Sequence, residues 1–191
     1  VVLTNKTNGK IDSAVTGVDG KFMFKLEPNS DFTVVGTKDG FFTNTEAVTT
    51  IGKKKSEDMY VELKLELVRI VINKPIVVEN IYYDLDKSDI RPDATPALDN
   101  LVQLLKDNPN ISVELSSHTD SRADDNYNMK LSQRRADSAV KYIIEHGIPK
   151  ERITAKGYGE TMLINKCDCD KCTEEQHQEN RRTEFTVTST Q

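Results

Sequence analysis

The sequence predicts an α+β protein in two parts: a small β-sandwich over residues 1–66, truncated at its start, and a βαβαββ domain over 67–191 with helices packed on a mixed sheet. Three observations predict it. Short apolar runs in the first third are separated by Asn-Gly and Asp-Gly dipeptides. Beyond residue 90 the apolar spacing acquires a helical period. Strand-like and helix-like segments then alternate to the end. With 191 residues the chain is long enough to bury two small cores.

In the first part, Val1-Val2-Leu3, Lys21 to Phe24, Phe32 to Val35 and Met59 to Leu63 read as strands. Asn8-Gly9, Asp19-Gly20 and Asp39-Gly40 divide them, supplying the positive φ that tight hairpins need. Arg69 to Val78 is β-rich but contains Pro75, which allows a linker or an edge strand. Ile81-Tyr82-Tyr83 reads as a short strand, and Pro92 suits the first turn of a helix. Ala94, Leu98, Leu101, Val102 and Leu105 continue that helix until Asn108-Pro109 breaks it. Ile111, Val113 and Leu115 alternate as a strand that runs into Ser117-His118-Thr119-Asp120. Tyr127, Leu131, Ala139 and Ile143 form one stripe of a second helix, which Gly147 ends. Ile153 to Tyr158 and Glu184 to Thr188 supply the last two strands.

Composition excludes several function classes. A formal charge of −5 and a pI near 5.3 argue against nucleic acid as a partner, since phosphate binding needs concentrated Lys and Arg. Lys53-Lys54-Lys55 reads as a solvated turn. No apolar stretch approaches the ~20 residues of a membrane helix. The chain starts inside an apolar run, VVLTN, so it is read as a piece of a longer protein, whose missing signal peptide says nothing about compartment.

Two charges stand where a charge needs a reason. Asp120 closes a strand at the edge of a loop, and Arg135 lies four residues from both Leu131 and Ala139, on their inward-leaning stripe. A charge turned toward a core must be paired or solvated. The residues alone leave two readings open: a structural ion pair of Asp120 with Arg135, or a binding site for a ligand that carries both charges.

Three separated blocks carry a resemblance: IYYDLDKSDIRPDA, then VELSSHTDSRADDNYNMKLSQRRADSAVKYIIEHGIPKERITAKGYGE, then NRRTEFTV. In this order and spacing they resemble the OmpA-like domain of outer-membrane proteins, peptidoglycan-associated lipoproteins and flagellar motor stators, over residues 70 to 190. Among such proteins the likeness is to Bacteroidetes-like members. The resemblance implies a non-catalytic domain that binds the peptidoglycan stem peptide at diaminopimelate, on the periplasmic side of an outer membrane reached through a missing upstream region. It places the acidic ligand position on Asp120, the basic one on Arg135 and an apolar pocket wall on Leu131. Such a carboxylate and guanidinium suit the ammonium and carboxylate at the free end of diaminopimelate.

By the same resemblance Leu85 and Asp86 fall where the family has a Phe-Asp pair, with Leu85 in place of the aromatic. Thr119 and Asn128 are secondary polar contacts, and Asn180, Arg181 and Arg182 match the terminal Asn-Arg-Arg block as pocket support. Tyr82 and Tyr127 are either core or pocket contacts. An envelope protein partner is the alternative function, in which the fold is kept without its ligand. For the first part, TNKTNGK followed by TGVDGKFMFKLEPNSDFTVVGTKDGFF resembles the carboxypeptidase-regulatory-like or transthyretin-like β-sandwich.

Cys167, Cys169 and Cys172 lie in one loop with His177 nearby. A three-Cys, one-His zinc site is one reading. A disulfide between Cys167 and Cys172, with Cys169 left over, is the reading an oxidising envelope favours, and no metal or cofactor is expected. The OmpA-like relatives it resembles point the same way, toward a cysteine pair in this loop. Asp84, Asp86 and Ser88 imitate a calcium loop, but Asp89 and Thr95 stand where Gly and Glu are required. Ser117, His118 and Asp120 follow one another along a strand and cannot form a catalytic triad. With three His residues and no phosphate-cradling loop, an enzyme is not expected.

Overall fold

The computed structural model describes residues 1–53, 69–79, 81, 83, 87–166 and 171–190. The chain divides into two compact units, Val1–Ile70 and Val71–Gln191.

In the first unit β1 (Val2–Asn5), β2 (Ile11–Ser13), β3 (Asp31–Gly36) and β4 (Asn44–Thr49) form an antiparallel sheet in the order β2-β1-β3-β4. Two of the anticipated turns join neighbours: Gly9 (φ 76°) lies between β1 and β2, and Gly40 (φ 77°) between β3 and β4. Leu3, Phe32, Val34 and Val48 build the core on one face. Lys21 to Phe24 is not a strand. Its alternation serves packing instead, because Phe22, Phe24 and Leu26 lie against that core while Met23 is exposed. No ladder partner holds it among the described residues, and a side-chain period of two does not require one. The expected strand at 59–63 lies outside the described residues, and among the described residues this unit has one sheet.

The second unit contains β5 (Pro75–Val78), α1 (Thr95–Asp107), β6 (Ile111–His118), α2 (Asp125–Glu145), β7 (Ile153–Gly159), α3 (Glu174–Asn180) and β8 (Thr183–Thr190). Its sheet order is β5-β8-β6-β7, with β6 and β7 parallel and the other pairs antiparallel. The sheet is mixed, and the last strand sits inside it. The first strand is the edge segment that begins at Pro75, where a missing N–H costs least. Ile81 and Tyr83 are not in a strand, and Tyr82 lies outside the described residues. The helix α3 is an addition to the expected order. Its sequence, EEQHQEN, has no apolar stripe to announce it, and a reciprocal capping box of Thr173 with Gln176 starts it.

Pro92 opens a 3-10 turn that leads into α1, and that helix stops before Asn108-Pro109. Asp124 caps α2 by accepting from the backbone N–H groups of Asn126 and Tyr127. Gly147 (φ 99°) ends it, as expected. The buried stripe of α2 runs Leu131, Arg135, Ala139, Ile143 and packs on β7 and β6.

Candidate functional site

The stripe that buries Leu131 also buries Arg135, because positions four apart share a helix face. Arg135 is 7% exposed. Its Nε donates to the Lys87 carbonyl at 3.0 Å, and its guanidinium stacks over the Tyr83 ring, 4.8 Å from the centroid. The Tyr83 hydroxyl returns a bond to the Arg135 carbonyl at 3.2 Å. Burial pushes that phenol up to about 12, against the opposing pull of the Arg135 charge.

Asp120 follows β6, whose end is fastened on both sides: His118 N–H donates to the Arg182 carbonyl and Thr119 N–H to the Gly159 carbonyl, each at 2.9 Å. Asp120 is also 7% exposed. Its guanidinium partners are Arg122 and Arg181 rather than Arg135. Oδ2 accepts from Arg122 Nη2 at 2.7 Å, Arg122 Nε at 3.2 Å and Arg181 Nη1 at 2.5 Å, while Oδ1 accepts from the Arg122 N–H at 3.2 Å. Burial pushes the Asp120 carboxyl up, but hydrogen bonds from Arg122 and Arg181 outweigh it and hold it below the ordinary carboxylate range.

Both arginines reach onward to Glu174 at the start of α3, Arg122 at 2.9 Å and Arg181 at 2.6 Å. Two carboxylates and two guanidiniums thus close a ring at one end of the sheet. Arg135, Arg181, Arg182, His118, Ser117 and Thr183 line a cleft of about 370 Å³, part of it continuous with solvent, with Ile81, Tyr83 and Gln178 completing the wall.

The other expected residues have more local duties. Asn128 Nδ2 donates to the Asp120 carbonyl at 3.0 Å and to Glu160 at 2.6 Å, so it braces the loop that carries Asp120. Leu131 is core, 6% exposed. The Thr119 hydroxyl is buried without a hydrogen-bond partner among the described residues. Asn180 is fully buried; its Oδ1 accepts from the N–H groups of Ile164 and Asn165, which makes it a loop clamp. Tyr127 is partly exposed in the first turn of α2. Leu85, Asp86, Cys167 and Cys169 lie outside the described residues.

A second charge cluster had not been anticipated. Glu184 on β8 accepts from Arg182 Nε at 2.6 Å and lies 3.3 Å from His118 Nε2. His118 stacks on Tyr158, with ring centroids 5.3 Å apart. The one available signal was the pair Arg182 and Glu184, which a period of two puts on the same face of a strand; His118 joins them only through the sheet. The contact with His118, and then the bond from Arg182, bring the Glu184 carboxyl down to about 2 from 4.5. Between these values unfolding takes up a proton. This contribution to stability is therefore whole above about 4.5 and is lost as pH falls toward 2. Urea unfolding measured across that window should show a shallower fall for Glu184→Gln than for the parent; parallel curves would assign the acid sensitivity to other groups.

The OmpA family model matches residues 82–181, slightly more than half of the 191-residue chain. The chain is 39% identical over 108 residues to outer membrane porin F of Pseudomonas fluorescens, covering 56% of this chain and 32% of the porin. It is 35% identical over 96 residues to the peptidoglycan-associated lipoprotein of Brucella melitensis, covering 50% of this chain and 57% of the lipoprotein. The chain therefore spans about a third of the first relative and a little over half of the second. In three dimensions it is similar to the peptidoglycan-associated lipoprotein from Burkholderia pseudomallei, with a TM-score of 0.50 and 22% identity over 56% of this chain and 87% of that one. Because the family model matches more than half of its residues, the chain belongs to the OmpA family.

Proposed function

We propose that the second unit binds peptidoglycan non-covalently through the diaminopimelate of the stem peptide, and so anchors an outer membrane to the cell wall from the periplasmic side. The observation that carries this reading is a cleft lined by Arg135 and Arg181, with the Asp120 carboxylate bonded to Arg181 beside it. In this reading Asp120 receives the ligand ammonium and Arg135 its carboxylate. Thr119, whose buried hydroxyl lacks a partner among the described residues, supplies a further polar contact. Leu131 supports the apolar side, and Leu85 and Asp86 are the remaining contacts of this reading. The peptidoglycan-associated lipoprotein of Brucella melitensis, similar over half of this chain, supports it by its name. No catalysis is assigned.

Residues 1–66 are read as a carboxypeptidase-regulatory-like β-sandwich that spaces the binding domain, residues 67–191, from the upstream part. The antiparallel sheet of the first unit supports this. A bridge from Cys172, which is disulfide-bonded, to Cys167 is part of this reading.

Calorimetric titration with a diaminopimelate-containing stem peptide tests the assignment. The parent should bind. Asp120→Ala and Arg135→Ala should each bind about thirtyfold more weakly, roughly 2 kcal/mol, as expected for one charge-assisted contact. Undiminished binding by folded variants would move the site elsewhere.

A further inference from the structure

Asp120 is not waiting open for an ammonium. Its Oδ2 already takes three guanidinium hydrogen bonds, two of them from Arg122. The two arginines differ in how they are held. Arg181 is the more enclosed, with its side chain 24% exposed, and Gln178 binds it as well at 2.7 Å. Arg122 is 44% exposed and stands on the loop two residues beyond Asp120. Its second anchor is Glu174, which accepts from the opposite nitrogen, Nη1, at 2.9 Å. Arg122 can therefore leave Asp120 by a side-chain rotation without losing every partner.

Building on the proposed diaminopimelate reading, we propose that Arg122 occupies the ammonium position on Asp120 in the ligand-free protein, so that binding exchanges one cation for another, with Glu174 retaining the displaced guanidinium. The exchange conserves charge: the ring of Asp120, Glu174, Arg122 and Arg181 is neutral before ligand arrives, and the ligand brings an ammonium and a carboxylate together. It also sets a specificity. A ligand with an ammonium alone must displace Arg122 for one contact, whereas a zwitterionic end gains Arg135 as well. Arg122 is thus a specificity-determining residue that selects against simple amines.

Neighbouring variants in this one ion-pair ring should have opposite effects, which a general loosening of the loop would not produce. Arg122→Gln removes the competing cation and should tighten binding of a diaminopimelate-containing stem peptide about fivefold, the scale of one partly exposed charge contact. Glu174→Gln removes the negative charge of Arg122's second anchor and should weaken binding several-fold. Both are measured by calorimetry at one ionic strength, after circular dichroism has shown that each variant is folded. Tighter binding by Arg122→Gln with weaker binding by Glu174→Gln supports the exchange, as does binding by Arg122→Gln where the parent shows none. Binding by the parent with equal or weaker binding by Arg122→Gln overturns the exchange and leaves the diaminopimelate reading standing. Absence of binding by all three overturns both.

Discussion

Replacing Gly157 with Ala is expected to destabilise the second unit by about 3 kcal/mol, the upper end of what overpacking usually costs. A Cβ at Gly157 would lie 2.2 Å from the Gln133 nitrogen and 2.6 Å from both the Gln133 Cα and the Ser132 hydroxyl. The first two are helix backbone, which cannot step aside as a flexible side chain can. The whole of α2 would have to lift from β7. That would break the bond from Gly157 N–H to Gln133 Oε1 and the bond from Gly159 N–H to Ser132 Oγ, both 2.8 Å. Because Arg135 rides on α2, ligand binding should fall with the stability. Urea unfolding followed by circular dichroism measures the effect; a loss below about 1 kcal/mol would mean that the helix and strand can separate cheaply.

Arg152→Ala should cost about 2–3 kcal/mol, through carbonyls rather than through any carboxylate. Arg152 Nη2 donates to the carbonyls of Leu105 and Asn108 at 2.9 and 2.7 Å, and Nε to that of Ile111 at 3.0 Å. Leu105 and Asn108 close α1, whose terminal carbonyls have no partner within the helix. All three residues are buried, so water cannot replace the guanidinium without opening the core. A cation at this end also meets the negative pole of the helix. Arg152→Lys should recover only part of the loss, since an ammonium cannot present the same planar fork to three acceptors. Thermal unfolding of the two variants beside the parent checks this; equal melting temperatures for Lys and Arg would reduce the role to charge alone.

The elements that were legible in the sequence are those whose signal is local. The stripe through Leu131, Arg135, Ala139 and Ile143 foretold both α2 and the burial of Arg135, since a helix repeats its face every three to four residues. The alternation of Ile111, Val113 and Leu115 foretold β6 with its buried face, and Gly9, Gly40 and Gly147 marked turns that a positive φ requires. The misreadings were local ambiguities too. Lys21 to Phe24 has a strand's alternation but no strand beside it among the described residues, and α3 is a helix made by its cap rather than by an apolar face.

Partnership was decided elsewhere. Asp120 and Arg181 are 61 residues apart, and no periodicity relates them. They meet because β8, the last strand, enters the sheet beside β6 and brings the end of α3 to the end of β6. The same insertion sets Glu184 against His118. Local spacing alone sets which charges lie on inward faces and at strand ends, because burial follows from it. That Asp120 belongs to Arg122 and Arg181 while Arg135 lies over Tyr83 follows from the packed fold, because an ion pair depends on distances that sheet order sets.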